Sequence, residues 1–217
     1  MKIGIIFDLD GTLLNTLADL HSAVNHTLTQ YGLPQRTLDE VRRFVGNGAR
    51  RLIELALPGL PGDPPVDRVL ADYQTYYNAT CNEGLTCPYP GILEVLEQLR
   101  KQYPIAVVSN KPDPAVKALC RQYFGDVYAL GVTEGCPRKP APDMVKKAMQ
   151  ATKMDACVYV GDSDVDVLTA KNAGAPCVSV LWGFRDREEI EAVGGKYFCE
   201  RAEDLPAVIK TIIEKEV

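Results

Sequence analysis

The chain has 217 residues, 46% of them hydrophobic and 24% charged, with a formal net charge of −5. That is enough for one large domain or a domain with a small insert, and the composition is that of an ordinary soluble globular protein. The acidic balance, with no basic stripe, argues against nucleic acid or an anionic membrane as a partner. No apolar run approaches the roughly 18 residues of a membrane span, and Asp8 and Asp10 interrupt the N-terminal apolar stretch too early for a signal peptide. The seven cysteines form no CxxC pair, so they read as reduced thiols of a cytoplasmic protein.

In chain order, the first predicted element is a strand over Ile3–Phe7, an apolar run that ends abruptly in Asp8-Leu9-Asp10. From 17 to 83 the pattern is helical, with segments at 17–31, 38–45, 49–56 and 66–82 and a Pro/Gly-rich break, LPGLPGDPP, at 57–65. His21 and His26, five apart, do not share a helical face and read as ordinary helix residues. Beyond 84, strand-length runs rich in Val and Ile recur at 105–108, 158–160 and 177–181, with a last strand near 196–199. Helical stripes lie between and after them: Leu93/Leu96/Leu99, Met144/Val145/Ala148/Met149, Leu168/Ala170/Ala173 closed by Gly174, and a final helix over 202–214. Strands alternating with helices predict an α/β fold, a Rossmann-like parallel sheet covered on both faces. The expected division is an α/β core of residues 1–16 and 84–217 and a small α-helical cap of residues 17–83.

In an open parallel sheet, ligands bind at the carboxyl ends of the strands. Four polar clusters end apolar runs or start helices there: Asp8/Asp10, Ser109-Asn110, Lys139 in RKPAPD, and GDSDVD at 161–166. These side chains suit a phosphate and a hard divalent cation. Mg²⁺ takes oxygen ligands, one or two carboxylates plus phosphate and water, which Asp8, Asp162 and the Asp10 main-chain carbonyl can supply. Ser109 offers a hydroxyl and Lys139 a compact positive charge to a phosphate. Asn110 either joins them or serves the loop backbone. A carboxylate can be the nucleophile, and a second one two residues on can act as general acid and then base. Lys139 is preferred over Arg138 and Lys111 as the phosphate cation, with Arg138 read as a solvated surface charge.

The four segments DLDGTLLNT, VVSNK, RKPAPD and VGDSDVD resemble, in order, the four motifs of the haloacid dehalogenase superfamily. FVGNGARRLIE (44–54), PYPGILEVLEQLR (88–100) and SNKP (109–112) are similar to its phosphoglycolate phosphatase group. The resemblance implies that Asp8 is the nucleophile and a Mg²⁺ ligand, and that Asp10 is the general acid/base with its carbonyl on the metal. It implies that Ser109 and Lys139 hold the phosphoryl group, that Asp162 is a metal ligand, and that Asp166 is a more distant or water-mediated ligand that also orients Lys139. Asp164 falls at a variable position of the motif and is expected to be exposed. In the cap, GNG (46–48) reads as a tight turn where Asn47 and Gly48 can offer backbone N–H groups. Arg50 or Arg51 just beyond it either binds a substrate carboxylate or is an exposed helix charge.

The expected function is therefore Mg²⁺-dependent hydrolysis of a small phosphorylated metabolite, phosphoglycolate first, through an aspartyl-phosphate. The alternatives are a β-phosphoglucomutase-like phosphomutase and a pyrophosphatase on the same fold, with a non-enzymatic binding protein behind both. Thr12 stands where those mutases are expected to carry Val, which favours hydrolysis.

Overall fold

In a computed structural model that describes residues 1–59, 62–81 and 84–216, the run IGIIF forms β1 (Ile3–Phe7). The chain leaves it through a tight turn in which the Leu13 and Leu14 amides both donate to the Leu9 carbonyl. It continues as β2 (Leu14–Asn15), then α1 (Leu17–Gln30), α2 (Leu38–Phe44), α3 (Gly48–Ala56) and α4 (Val66–Thr80), and returns as β3 (Cys87–Pro88), which pairs with β2. An α/β succession follows: α5 (Ile92–Arg100), β4 (Ile105–Pro112), α6 (Asp113–Phe124), β5 (Tyr128–Val132), α7 (Asp143–Thr152), β6 (Ala156–Gly161), α8 (Asp164–Ala173), β7 (Cys177–Val180), α9 (Arg187–Ala192), β8 (Tyr197–Cys199) and α10 (Leu205–Glu216). The expected end of the fourth helix at Asn82 and the domain boundary at 83 lie outside the described residues, as do 60 and 61 of the break.

The chain divides into two compact units, Met1–Leu14 with Pro88–Val217, and Asn15–Cys87. The first is the α/β unit. Its six strands run parallel in the order β5-β4-β1-β6-β7-β8. Side chains alternate across the sheet. Ile5 and Phe7 pack with Leu96 and Leu99 of α5, Val116 and Leu119 of α6, and Ile209 and Ile212 of α10. Ile6 faces the other way, onto Met144, Val145 and Ala148 of α7 and Ala170 of α8. Both faces are thus covered, which is why the central strands read as continuous apolar runs. Register sets the site: Phe7 pairs with Val107 on one side and Val160 on the other, so the residues just beyond each of these strands emerge at one end of the sheet.

The second unit is helical, with α1 packed on α2 and α4, and α3 on α2 and α4. Leu20, Val24, Leu28, Leu52, Ile53, Val69, Tyr73 and Tyr77 form its interior. A capping box starts α2: the Thr37 hydroxyl accepts from the Glu40 amide and the Glu40 carboxylate accepts from the Thr37 amide. Asp19 accepts from the amides of Leu85 and Thr86 and from the Thr86 hydroxyl, which ties the returning chain to α1. His21 Nε2 lies 2.9 Å from the Arg36 carbonyl oxygen, and the His26 ring stacks on Tyr76 at 3.7 Å. Although five apart, both line one shallow groove.

Candidate active site

Asp8 follows the last residue of β1 and is held in line by its amide, which donates to the Val160 carbonyl at 2.9 Å. Its carboxylate is buried and pairs with Lys139, Nζ to Oδ1 at 2.7 Å. Lys139 is 3% exposed and also lies 2.8 Å from Asp166 Oδ1 and 3.2 Å from the Tyr159 hydroxyl. Asp166 is fully buried. Besides Lys139, it accepts from the Tyr159 hydroxyl at 3.1 Å and from the Ser163 amide and hydroxyl at 3.1 and 2.6 Å. The bond from the Ser163 amide and a return bond from the Asp166 amide to Ser163 Oγ form the capping box that starts α8, so the same carboxylate anchors the helix and aims the lysine.

Asp162, 1% exposed, accepts from Thr12 Oγ1 at 3.1 Å and from the Phe184 amide at 2.7 Å. One oxygen from each of Asp8, Asp162 and Asp166 lies within 4.8 Å of the others. The cluster therefore holds three buried carboxylates against one ammonium, an excess of negative charge that is costly without a further cation. The titration directions report the same strain. Burial, followed by the charges of Asp166 and Asp162, holds Asp8 well above the usual carboxylate range despite Lys139. Burial and Asp166 push Asp162 up to about 7, against the donors from Phe184 and Thr12. Burial alone would lower Lys139, but Asp166 and Asp8 outweigh it and keep the ammonium charged. An all-oxygen donor set short of positive charge fits a hard divalent cation.

Asp10 lies on the turn after β1, and its two oxygens accept from Lys111 Nζ at 2.8 and 3.0 Å. Ser109 Oγ accepts from the Lys111 amide at 3.3 Å. Asn110 makes a reciprocal pair with the backbone of Lys139, donating to its carbonyl at 3.0 Å and accepting from its amide at 2.8 Å. Of its two sequence readings, this structure displays the backbone role, and the backbone in question carries the site lysine. Lys139 precedes a cis peptide bond to Pro140. Arg138 is exposed.

Asn47 and Arg50 belong to the helical unit. Asn47 precedes α3 as its N-cap residue. Arg50 is about half exposed and pairs with Asp67 and Glu54, while Arg51 pairs with Glu54. Asp164 departs from its expected exposure: it is partly buried, 3.5 Å from Arg185 Nε.

Three features were not recognised in the sequence. Lys111, on sequence grounds only a rival to Lys139, holds Asp10. Tyr159, inside an apolar strand, bonds both Lys139 and Asp166. The segment LWGF after β7 forms one wall around the Asp162 carboxylate: Phe184 donates to Asp162, and Trp182 Nε1 donates to the Thr12 carbonyl at 3.0 Å. A Cβ on Gly183 would fall 2.3 Å from Asp162 Cβ, and one on Gly11, whose φ is +84°, 2.3 Å from Asp162 Oδ2. A Trp-Gly pair just past a buried strand was the available signal.

The family model described as haloacid dehalogenase-like hydrolase matches residues 5–180. A protein named phosphoglycolate phosphatase from Rhodobacter capsulatus is 37% identical over 192 residues, which cover 85% of this chain and 87% of that protein. One of the same name from Agrobacterium fabrum is 34% identical over 230 residues, with 97% and 94% covered. A crystal structure from Lactobacillus delbrueckii subsp. bulgaricus superposes with a TM-score of 0.86 at 34% identity, covering 95% of this chain and 98% of that one. The order of the four clusters, their convergence at one end of a parallel sheet and these likenesses agree: the chain belongs to the haloacid dehalogenase-like hydrolase family.

Proposed function

We propose that this protein is a Mg²⁺-dependent phosphatase for a small phosphorylated metabolite, with phosphoglycolate as the first candidate, working through an aspartyl-phosphate on Asp8. The observation that carries the reading is the buried Asp8–Lys139–Asp166 chain beside Asp162. It presents a nucleophilic carboxylate and a fixed ammonium to one phosphoryl group. The names of the relatives support the substrate.

Asp8, Asp162 and the Asp10 carbonyl would hold the Mg²⁺, and Asp166, committed to Lys139, Tyr159 and Ser163, would steer the lysine. When bound, the metal would neutralise the phosphoryl charge and let two anions approach each other. Lys139, with Ser109, holds the phosphoryl oxygens. An Asp8 oxygen attacks phosphorus, the ester P–O bond breaks, and Asp10 gives its proton to the departing oxygen. Asp10 then takes a proton from water, the water oxygen attacks phosphorus, and the P–O bond to Asp8 breaks to release phosphate. Fixed charges in a buried site act without reorganising during the reaction, which is where most of the rate should arise. The seven free thiols suit a reducing compartment, and we place the enzyme in the cytoplasm.

Hydrolysis is preferred to mutase chemistry because Thr12 stands where those mutases are expected to carry Val; its buried hydroxyl donates to Asp162, a bond that valine could not make. The test is phosphate release with Mg²⁺ from phosphoglycolate, pyrophosphate, sugar phosphates, nucleoside monophosphates and an aryl phosphate, with Asp8→Asn as the blank. Preference for phosphoglycolate, lost in the blank, is the expected result. Release that persists in the blank would overturn the mechanism.

A further inference from the structure

Among the described residues, three cationic side chains are buried: Lys111, Lys139 and Arg185. Each has a carboxylate partner. Lys139 serves Asp8 and Asp166, Arg185 serves Asp164, and Lys111 serves Asp10. The two lysines thus divide the reacting groups between them. Lys139 stands with the nucleophile, on the phosphoryl side. Lys111 stands with the residue that meets the departing oxygen, on the leaving-group side.

Simple distances give this division a consequence. Lys111 Nζ is 2.8 and 3.0 Å from the two Asp10 oxygens. Any oxygen hydrogen-bonded to Asp10 therefore lies within about 6 Å of that ammonium, two hydrogen-bond lengths end to end. In an ester of a 2-hydroxy acid, the carboxylate oxygens sit about 3 Å from the ester oxygen, separated by one carbon. The pair is approachable from the Asp10 side, whose side chain is 15% exposed against 4% for Lys111. Lysine is a point charge on a flexible stem, able to contact Asp10 and a second anion in turn. The arginines expected to meet such an anion, Arg50 and Arg51, are each paired with acids of their own unit.

We propose that Lys111 is a specificity-determining residue that binds a carboxylate on the leaving group. The substrate class is then a phosphomonoester carrying an anionic group one carbon from the ester oxygen. This assignment rests on the phosphatase reading above.

The test compares 2-phosphoglycolate with ethyl phosphate, which lacks the carboxylate, at one Mg²⁺ concentration. It reads the ratio of their kcat/KM values in the wild type, Lys111→Met, Lys111→Arg and Arg50→Met. The wild type should favour the anionic ester. Lys111→Met should cut the ratio by about 10- to 100-fold, the range of a hydrogen bond to a charged group. Lys111→Arg should recover part of it, and Arg50→Met should leave it near the wild-type value. An equal loss on both esters in Lys111→Met would assign Lys111 to Asp10 alone and overturn the proposal. So would a ratio that falls only in Arg50→Met. Equal wild-type rates on the two esters would overturn it even if Lys111→Met failed to fold. Release from neither ester but from another member of the panel above would overturn this assignment alone, and release from no member would overturn the phosphatase reading with it.

Discussion

Gly183→Ala tests the proposed Mg²⁺ site through a residue that has no chemistry of its own. The added Cβ would fall 2.3 Å from Asp162 Cβ, 2.4 Å from its Oδ2 and 2.5 Å from the Gly11 carbonyl oxygen. Carbon atoms in contact sit about 3.5 Å apart, so Asp162 must retreat by roughly 1 Å. It cannot do so freely, because Phe184 and Thr12 hold its two oxygens. Overpacking of this kind costs about 1–3 kcal/mol of stability. A 1 Å misplacement at a reacting site costs on the order of 10²-fold in rate. The assay is kcat/KM for phosphate release across a Mg²⁺ titration, with thermal melting at each concentration. The expected variant is folded, melts earlier, needs more Mg²⁺ and is about 10²-fold slower. A variant with wild-type rate and wild-type Mg²⁺ dependence would refute the placement of Asp162 on the metal.

Lys139→Met should do two things. It leaves Asp8 and Asp166 buried without their shared cation, which should cost about 3–5 kcal/mol by denaturant unfolding. It should also reduce kcat/KM by at least about 10²-fold; a stable, active variant would contradict the assignment. The Mg²⁺ response should depend on pH. Burial raises Asp162 from 3.8 to about 7 in the metal-free fold, so ionising it weakens that fold progressively as pH climbs between those values. Bound Mg²⁺ requires the ionised form and removes that penalty. The Mg²⁺-induced rise in Tm should therefore grow from about pH 5 to about pH 7, and a rise that stays constant over that range would contradict it.

Much of the site was legible because buried charge is an anomaly that a sequence cannot hide. Asp8 and Asp10 close an apolar strand, and GDSDVD closes another, so register alone brings them together. What stayed hidden depended on contacts across long separations. Lys111 meets Asp10 across 101 positions. It does so because β4 continues past the apolar run to Pro112, with a register shift after Val108. The strand β5 is weakly signalled for a local reason. YALGV contains Gly131, which weakens the strand signal yet is required where the backbone of Asp113 approaches: a Cβ there would lie 2.5 Å from Asp113 Cα. Nothing near Asp19 in the sequence announces that its carboxylate holds Leu85 and Thr86.

The central claim is that Asp8 takes the phosphoryl group. The most direct measurement is mass spectrometry of the peptide containing Asp8 after rapid acid quench of enzyme turning over phosphoglycolate with Mg²⁺. The account requires one phosphoryl group on Asp8, formed and lost at rates that match turnover, and none in Asp8→Asn. A phosphoryl group on another residue, or sustained phosphate release by Asp8→Asn, would contradict it.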